Sequence, residues 1–192
     1  MSARKSFNAI TIINRAVSEQ VKEGDICIDA TAGRGNDTLT LCSLVGESGR
    51  VTAFDIQQSA IDSTRTLLEE NGMLHRAELI YGSHANMDSY FEEGTISCIM
   101  FNFGWLPGGE HSIHTNAETS IEALGKALKL LKKGGMITLI IYYGRDTGFE
   151  EKDAILQFLP GIDSEKYTVL EMPFVNRPNC PPIPVIIIRD EA

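Results

Sequence analysis

The chain is predicted to fold as a doubly wound α/β structure, a mostly parallel sheet covered by helices on both faces. Three observations lead there. Short apolar runs of strand length alternate with segments of helical periodicity along most of the 192 residues, the pattern left by consecutive βα units. The first of these units turns from strand to helix through two glycines, Gly33 and Gly35. The longest apolar runs, residues 136–143 and 183–188, are strand-length and fall well short of the roughly 20 residues that a membrane helix needs.

Taken in order, residues 8–21 carry Ile10, Ile13, Ala16 and Val17 at helical spacing, which predicts an amphipathic helix ended by Glu23-Gly24-Asp25. Residues 26–30 read as a buried strand, 37–45 as a helix, 51–55 as a second strand and 59–71 as a helix closed by Gly72. A short third strand follows at 78–81 and a fourth at 95–102. A loop rich in glycine and polar residues occupies 104–115. The next helix, about 116–132, places Ile121, Leu124, Ala127, Leu128 and Leu131 on one face and stops at Gly134-Gly135. Residues 136–142 form a fifth strand, 149–159 a helix, and 167–172 with 185–189 a terminal strand pair. No repeat, linker or low-complexity tract divides the chain, so one domain over residues 1–192 is expected.

Hydrophobic residues at 43% and charged residues at 22% are ordinary globular usage and exclude the weakly hydrophobic, highly charged regime of disorder. The N-terminus, Met1-Ser-Ala-Arg-Lys-Ser-Phe, lacks the apolar stretch and cleavage site of a secretory signal, so a cytoplasmic protein with no membrane span is expected. Cys27, Cys42, Cys98 and Cys180 are scattered without a Cys-x-x-Cys pair, which favours structural thiols over zinc or redox chemistry, and no metal site is expected. A net charge of −9 argues against a broad nucleic-acid footprint. It leaves room for a local basic face from Arg145, Arg177 and Lys126, Lys129, Lys132 and Lys133.

In open α/β sheets ligands bind beyond the carboxyl ends of the strands, which directs attention to the first strand–helix turn. It reads Asp29-Ala-Thr-Ala-Gly-Arg-Gly-Asn-Asp37. Asp55, followed by Ile56 and Gln57, ends the second strand, where an acidic side chain can accept hydrogen bonds from ribose hydroxyls. Charge then selects the cofactor. A dinucleotide site wants a third glycine and an uncluttered helix N-terminus for pyrophosphate, whereas Asn36, Asp37 and Thr38 stand there. A carboxylate at that point repels phosphate but accepts S-adenosylmethionine, which carries a sulfonium and an ammonium. A nicotinamide dehydrogenase is the distant alternative.

Further along, Ala53-Phe-Asp-Ile-Gln57, Ser83-His84, Asn102-Phe-Gly-Trp-Leu-Pro-Gly-Gly109 and Asn176-Arg-Pro-Asn-Cys-Pro-Pro182 follow that loop. Together, over nearly the whole chain, they resemble the small bacterial rRNA-methylase family, now read as tRNA 5-aminomethyl-2-thiouridine methyltransferases of the YtqB/MnmM type. The resemblance implies a Rossmann-like class I methyltransferase fold with a seven-stranded sheet whose last strand is antiparallel. It also implies a homodimer, and methyl transfer to the exocyclic amine of a modified wobble uridine in tRNA. By position in the motifs, Thr31, Asn36 and Asp37 would line the methionine end of S-adenosylmethionine, Asp55 and Gln57 the ribose and adenine edge, and Ser83 with His84 the adenine side. Asp29, Ala32, Gly33, Gly35, Thr38, Ile56 and Asn102 complete the expected cofactor set. The chain departs from the family pattern at Trp105, where tyrosine is expected, and at Tyr142-Tyr-Gly-Arg145, where histidines are.

The loop after the fourth strand is the expected substrate site. An amine attacking a sulfonium methyl needs alignment, desolvation and an acceptor that orients its lone pair. The Asn102 side chain or the Phe103 backbone oxygen could supply that acceptor, and Trp105 could stack a flipped base. His84, His111 and His114 are candidate bases, since imidazole titrates in a suitable range. An rRNA or small-molecule substrate is the alternative to tRNA.

Overall fold

The computed structural model describes residues 7–104, 117–144 and 148–190. Their order is α1 (Ala9–Gln20), β1 (Ile26–Asp29), α2 (Asn36–Val45), β2 (Arg50–Asp55), α3 (Gln58–Glu70), β3 (Ala77–Tyr81), β4 (Ile96–Phe103), α4 (Ala117–Leu130), β5 (Leu131–Ile141), α5 (Phe149–Phe158), β6 (Tyr167–Glu171) and β7 (Ile183–Arg189). Short 3-10 turns at Leu74–Arg76, His84–Ser89 and Leu159–Gly161 complete the path. Seven strands form one sheet in the order β3-β2-β1-β4-β5-β7-β6. All neighbouring pairs are parallel except those made by β7, which runs antiparallel to both β5 and β6. The doubly wound fold with an antiparallel last strand is therefore the one the sequence predicts.

Each face of the sheet carries its own core. On one side Ile13 of α1, Leu41 of α2 and Leu68 of α3 pack on Cys27, Val51 and Met100. On the other, Leu124 of α4 and Ile155 of α5 pack on Phe54, Phe101, Phe103 and Ile187. Such two-sided burial is what turns the strands into nearly continuous apolar runs. The thiols of Cys27, Cys42 and Cys98 are free and buried within the first layer, while Cys180 is exposed.

Three boundaries differ from the sequence reading, each for a local reason. The α1 stripe is Ala9, Ile13 and Val17, with Ile10 left 46% exposed. Asn8 caps the helix by accepting from the Thr11 N–H at 2.9 Å while its own N–H donates to Thr11 Oγ1 at 2.8 Å, which fixes where α1 begins, and Ile10 lies at the margin of the face that packs on the sheet. The fourth helix stops at Leu130, and Leu131 starts β5 opposite Ile96 before a bulge brings Met136 opposite Cys98. The Leu131 carbonyl accepts from Arg189 Nη1 at 2.5 Å instead of continuing a helical ladder. Finally β7 begins at Ile183, with Pro184 inside it. The Pro184 carbonyl points towards β6, accepting from Met172 N–H at 3.0 Å. Its missing N–H therefore lies on that side and costs the β5 ladder nothing.

The chain lays β1, β2 and β3 outward in one direction and then places β4 on the other side of β1. The carboxyl ends of β1 and β4 thus flank the point where strand order reverses, the place where an open α/β sheet leaves a crevice.

Candidate active site

Asp29, Asp55 and Asn102 come from the carboxyl ends of β1, β2 and β4, and the loop between β1 and α2 runs among them. Gly35 carries φ +83, and a Cβ there would stand 2.9 Å from the Thr64 Cα. Only glycine lets the loop adopt this left-handed turn while resting on the backbone of α3. Ala32 N–H donates to the Phe54 carbonyl and Gly35 N–H to the Ala32 carbonyl, at 2.9 and 2.8 Å, so the loop backbone is fixed before any ligand arrives.

The predicted residues divide by what they can reach. Asp29, Ala32 and Thr38 are buried. Asp29 Oδ2 accepts from the Thr38 hydroxyl at 2.6 Å and its Oδ1 from Thr31 N–H at 3.1 Å. These residues act through the loop they hold and present no surface of their own. Thr31 is turned inward too, its hydroxyl accepting from Asn102 N–H at 2.8 Å. Asn36 and Asp37 stand in the first turn of α2, which no side chain caps. Asp37 Oδ2 accepts from Asn102 Nδ2 at 2.7 Å. Asp55 bridges the opposite wall, Oδ2 accepting from Gly33 N–H and Oδ1 from Gln57 N–H, both at 2.9 Å. Beside it, Ile56 is an exposed apolar side chain. Ser83 caps the next short turn by accepting from Ala85 N–H at 3.2 Å. Trp105, His111, His114 and Arg145 lie outside the described residues.

The carboxyls of Asp29, Asp37 and Asp55 all titrate above the ordinary carboxylate range. Burial is the main cause for each, and for Asp29 the neighbouring Asp37 and Asp55 charges add to it. Hydrogen bonds from Thr38 and Thr31 to Asp29, from Asn102 to Asp37, and from Gly33 and Gln57 to Asp55 offset this only in part. A crevice holding crowded carboxylates is a site waiting for a cation.

The crowding has a measurable consequence. The folded protein retains protons that the unfolded chain releases, so through these groups stability falls as pH rises from the ordinary carboxylate range towards neutrality. Asp37→Asn keeps an acceptor for Asn102 and removes one charge. Without ligand it is expected to be more stable than the wild type at pH 8, with the gap closing towards pH 5. Denaturant midpoints at the two pH values check this, and a pH-independent gap would refute the repulsion.

His84 belongs to a different environment. Its ring is buried edge-on against Phe101 and Phe103, at centroid distances of 5.8 and 6.3 Å. Burial pushes its imidazole down to about 4 despite a hydrogen bond to the Ala30 carbonyl. It is neutral across the physiological range, and a base so weak takes a proton from an alkylammonium poorly.

Tyr142, which follows β5, entered the sequence reading only as a departure from the family pattern and was not among the expected site residues. Its N–H donates to the Phe103 carbonyl at 2.9 Å, and a Cβ on Gly104 would meet the Tyr142 Cβ at 2.9 Å. Burial raises its phenol, and the Asp37 charge raises it further, which places it on the Asp37 side of the crevice. The signal in the sequence was its position just past the end of a central strand.

Comparison with known proteins places the chain in a family. The family model described as "Putative rRNA methylase" matches residues 51–188. Over 190 residues the chain is 36% identical to the chloroplastic tRNA (mnm(5)s(2)U34)-methyltransferase of Arabidopsis thaliana, covering 94% of this chain and 69% of that protein. Among solved structures it is similar to a "putative rRNA-methylase" from Clostridium thermocellum, with 49% identity and a TM-score of 0.93, covering 96% of this chain and 99% of that one. It is also similar to a "putative methyltransferase" from Streptococcus mutans in complex with SAH, with 34% identity and a TM-score of 0.86 over 96% and 99% of the two chains. No helix among the described residues is long and apolar enough to cross a membrane, and no group of three metal-ligating side chains occurs among them. A matched family model over most of the chain, a shared sheet topology and an anionic crevice at the strand switch together assign this chain to the rRNA methylase family of S-adenosylmethionine-dependent methyltransferases.

Proposed function

We propose that this methyltransferase N-methylates the 5-aminomethyl group of a wobble 2-thiouridine in tRNA, using S-adenosylmethionine held by the loop from Asp29 to Asp37. The observation that carries the amine chemistry is the hydrogen bond from Asn102 Nδ2 to Asp37. It fixes the orientation of the amide and leaves Oδ1 as the atom Asn102 presents to a substrate. The Phe103 carbonyl, the other acceptor at this strand end, already receives Tyr142 N–H. Asn102 Oδ1 is therefore the better group to accept an N–H of the incoming amine and turn its lone pair towards the methyl.

In this reading Asp37 faces the sulfonium and ammonium of the cofactor. Asp55 accepts from the ribose hydroxyls with the lone pairs not used by Gly33 and Gln57, and Ile56 provides an apolar face for adenine. Tyr142 closes the Asp37 side. The amine nitrogen forms a bond to the methyl carbon as the carbon–sulfur bond breaks. The amine attacks as the free base; the electron pair of the broken bond would leave with the cofactor's sulfur as a neutral thioether, and the extra proton on nitrogen would pass to solvent. S-adenosylmethionine supplies the electrophilic methyl; the residues of the chain bind, align and exclude water.

The relative from Arabidopsis, whose name specifies a wobble thiouridine in tRNA, supports the substrate. Nucleoside mass spectrometry of tRNA from a strain lacking the gene is expected to show 5-aminomethyl-2-thiouridine in place of its methylated form. An unchanged methylated nucleoside would sink the proposal. Calorimetry with S-adenosylmethionine and NAD side by side tests the cofactor set. Only the former is expected to bind, and Asp55→Ala is expected to weaken it by at least about tenfold through lost hydrogen bonds to a charged acceptor. Unaltered binding by that variant would remove Asp55 from the site.

A further inference from the structure

The connection between β6 and β7, residues 172–182, lies at the same end of the molecule as the active site. β6 runs parallel to β5, because each is antiparallel to β7, so the carboxyl end of β6 points the way those of β1, β4 and β5 do. The segment is an arm with a fixed base and a fixed shape. Met172 and Phe174 pack into the core layer beneath it, and Pro173, Pro178, Pro181 and Pro182 limit its backbone freedom. Asn179 and Cys180 hold φ values of 65° and 50°, the left-handed region that side chains with a Cβ rarely adopt and that is retained mainly where the surroundings impose it. Cys180 stands over the β5–α5 connection: a Cβ on Gly144 would touch the Cys180 Cβ at 3.5 Å, two residues from Tyr142.

The arm carries a placed cation. The Arg177 guanidinium lies 4.1 Å from the centroid of the Phe174 ring and donates through Nη2 to the Phe7 carbonyl, tying the arm to the start of α1. Around it the surface is apolar and open, with Val175 97% exposed and Phe7 61% exposed. Two of the other basic candidates are engaged elsewhere. Lys126 is held by Asp88 and Glu122 at 3.1 and 2.9 Å, and Lys132 by Asp25 at 2.7 Å, the latter at the opposite end of β5 from the site. In a chain of net charge −9 a polyanion must be met by cations placed where it docks.

We propose that the arm 172–182 is a substrate-binding surface for single-stranded RNA, with Arg177 contacting the backbone and Phe7 and Val175 receiving an unstacked base. It deepens, and rests on, the tRNA reading above. Arg177 is stacked and hydrogen-bonded in advance, so little side-chain freedom is lost when a phosphate binds. Exposed apolar groups beside a cation match the combination by which proteins hold unpaired nucleotides.

The test compares initial methylation rates on undermethylated tRNA isolated from the strain lacking the gene, for the wild type, Arg177→Glu and Arg177→Lys. Arg177→Glu is expected to raise KM for tRNA by about tenfold or more and to lower the salt dependence of kcat/KM by about one unit of log–log slope. The S-adenosylmethionine Kd should stay at its wild-type value, and the thermal midpoint should fall by no more than a few degrees, since only the Phe174 stack and the tie to Phe7 are lost. Arg177→Lys should fall between, retaining charge and losing the planar stack. An unchanged KM and salt slope for Arg177→Glu, with the wild type active on the same tRNA, overturns the arm while leaving the tRNA reading intact. If the wild type transfers no methyl to that tRNA, the reading falls and the arm with it. Sedimentation of each variant separates a third outcome: KM changes that track a change of oligomeric state make this face a contact between copies and overturn the RNA assignment.

Discussion

Asp37→Asn is expected to cut S-adenosylmethionine affinity, and kcat/KM with it, by about two orders of magnitude, the cost of removing one partner of a partly buried, hydrogen-bonded charge pair. The substitution is nearly isosteric and keeps an oxygen for Asn102 Nδ2, which now donates to Asp37 at 2.7 Å. Loss of binding would therefore report the missing charge and not a collapsed loop. The same variant is the one expected to gain stability without ligand at pH 8, because burial raises the Asp37 carboxyl and its charge helps raise Asp29. Opposite signs for stability and affinity in one protein are the mark of a group retained for binding at a cost to folding. The pH dependence follows with the same sign. As pH falls through the raised carboxylate range the crevice takes up protons, and affinity for the cation should fall in the wild type while that of Asp37→Asn changes less. Isothermal titration at pH 5.5 and 8 measures both, and wild-type affinity in the variant would detach Asp37 from the cofactor.

Gly35→Ala is expected to be the most disruptive single-methyl addition in the site. The new Cβ would meet the Thr64 Cα at 2.9 Å and its side-chain atoms at 3.1 Å, in a residue whose φ of +83 already disfavours any side chain. The φ penalty alone costs about 1 kcal/mol or more, and relieving the backbone contact means moving the loop away from α3. Asp55 bonds Gly33, and Asp37 follows the glycine turn, so that movement displaces both walls of the crevice. A drop of several degrees in thermal midpoint with S-adenosylmethionine binding lost is the expected result. Thr64→Ala in the same background should not restore either, because the closest contact is to the Cα and not to the side chain. Rescue by Thr64→Ala would show that the crowding is side-chain crowding only.

Local pattern and global arrangement contributed differently. Strand and helix identities were legible because burial on both sheet faces leaves a local trace in apolar spacing. The cofactor loop was legible because glycines, Asp37 and Asp55 must occupy particular places relative to strand ends. Less legible was the division of labour within that set. Thr31 and Thr38 look like ligand contacts in a motif, yet their hydroxyls face Asn102 N–H and Asp29. Ile10 fits the α1 stripe on paper, but the face that packs on the sheet is Ala9, Ile13 and Val17, and Ile10 stays exposed at its margin. His84 reads as a titratable histidine until its burial against Phe101 and Phe103 makes it a neutral one.

Apolar spacing and a few charges were enough for the doubly wound architecture, the position of the cofactor loop and the preference for a cationic cofactor over a pyrophosphate. These depend on periodicity and on charges within a few residues of one turn. It took the folded chain to show that Asn102 is locked to Asp37, that Tyr142 lies beside the end of β4, and that the arm bearing Arg177 shares their end of the sheet. Those partners lie 65 residues apart for Asn102 and Asp37 and 170 for Arg177 and Phe7. Pairings of that span are set by strand order and by the reversal of β7, which no local pattern of residues encodes.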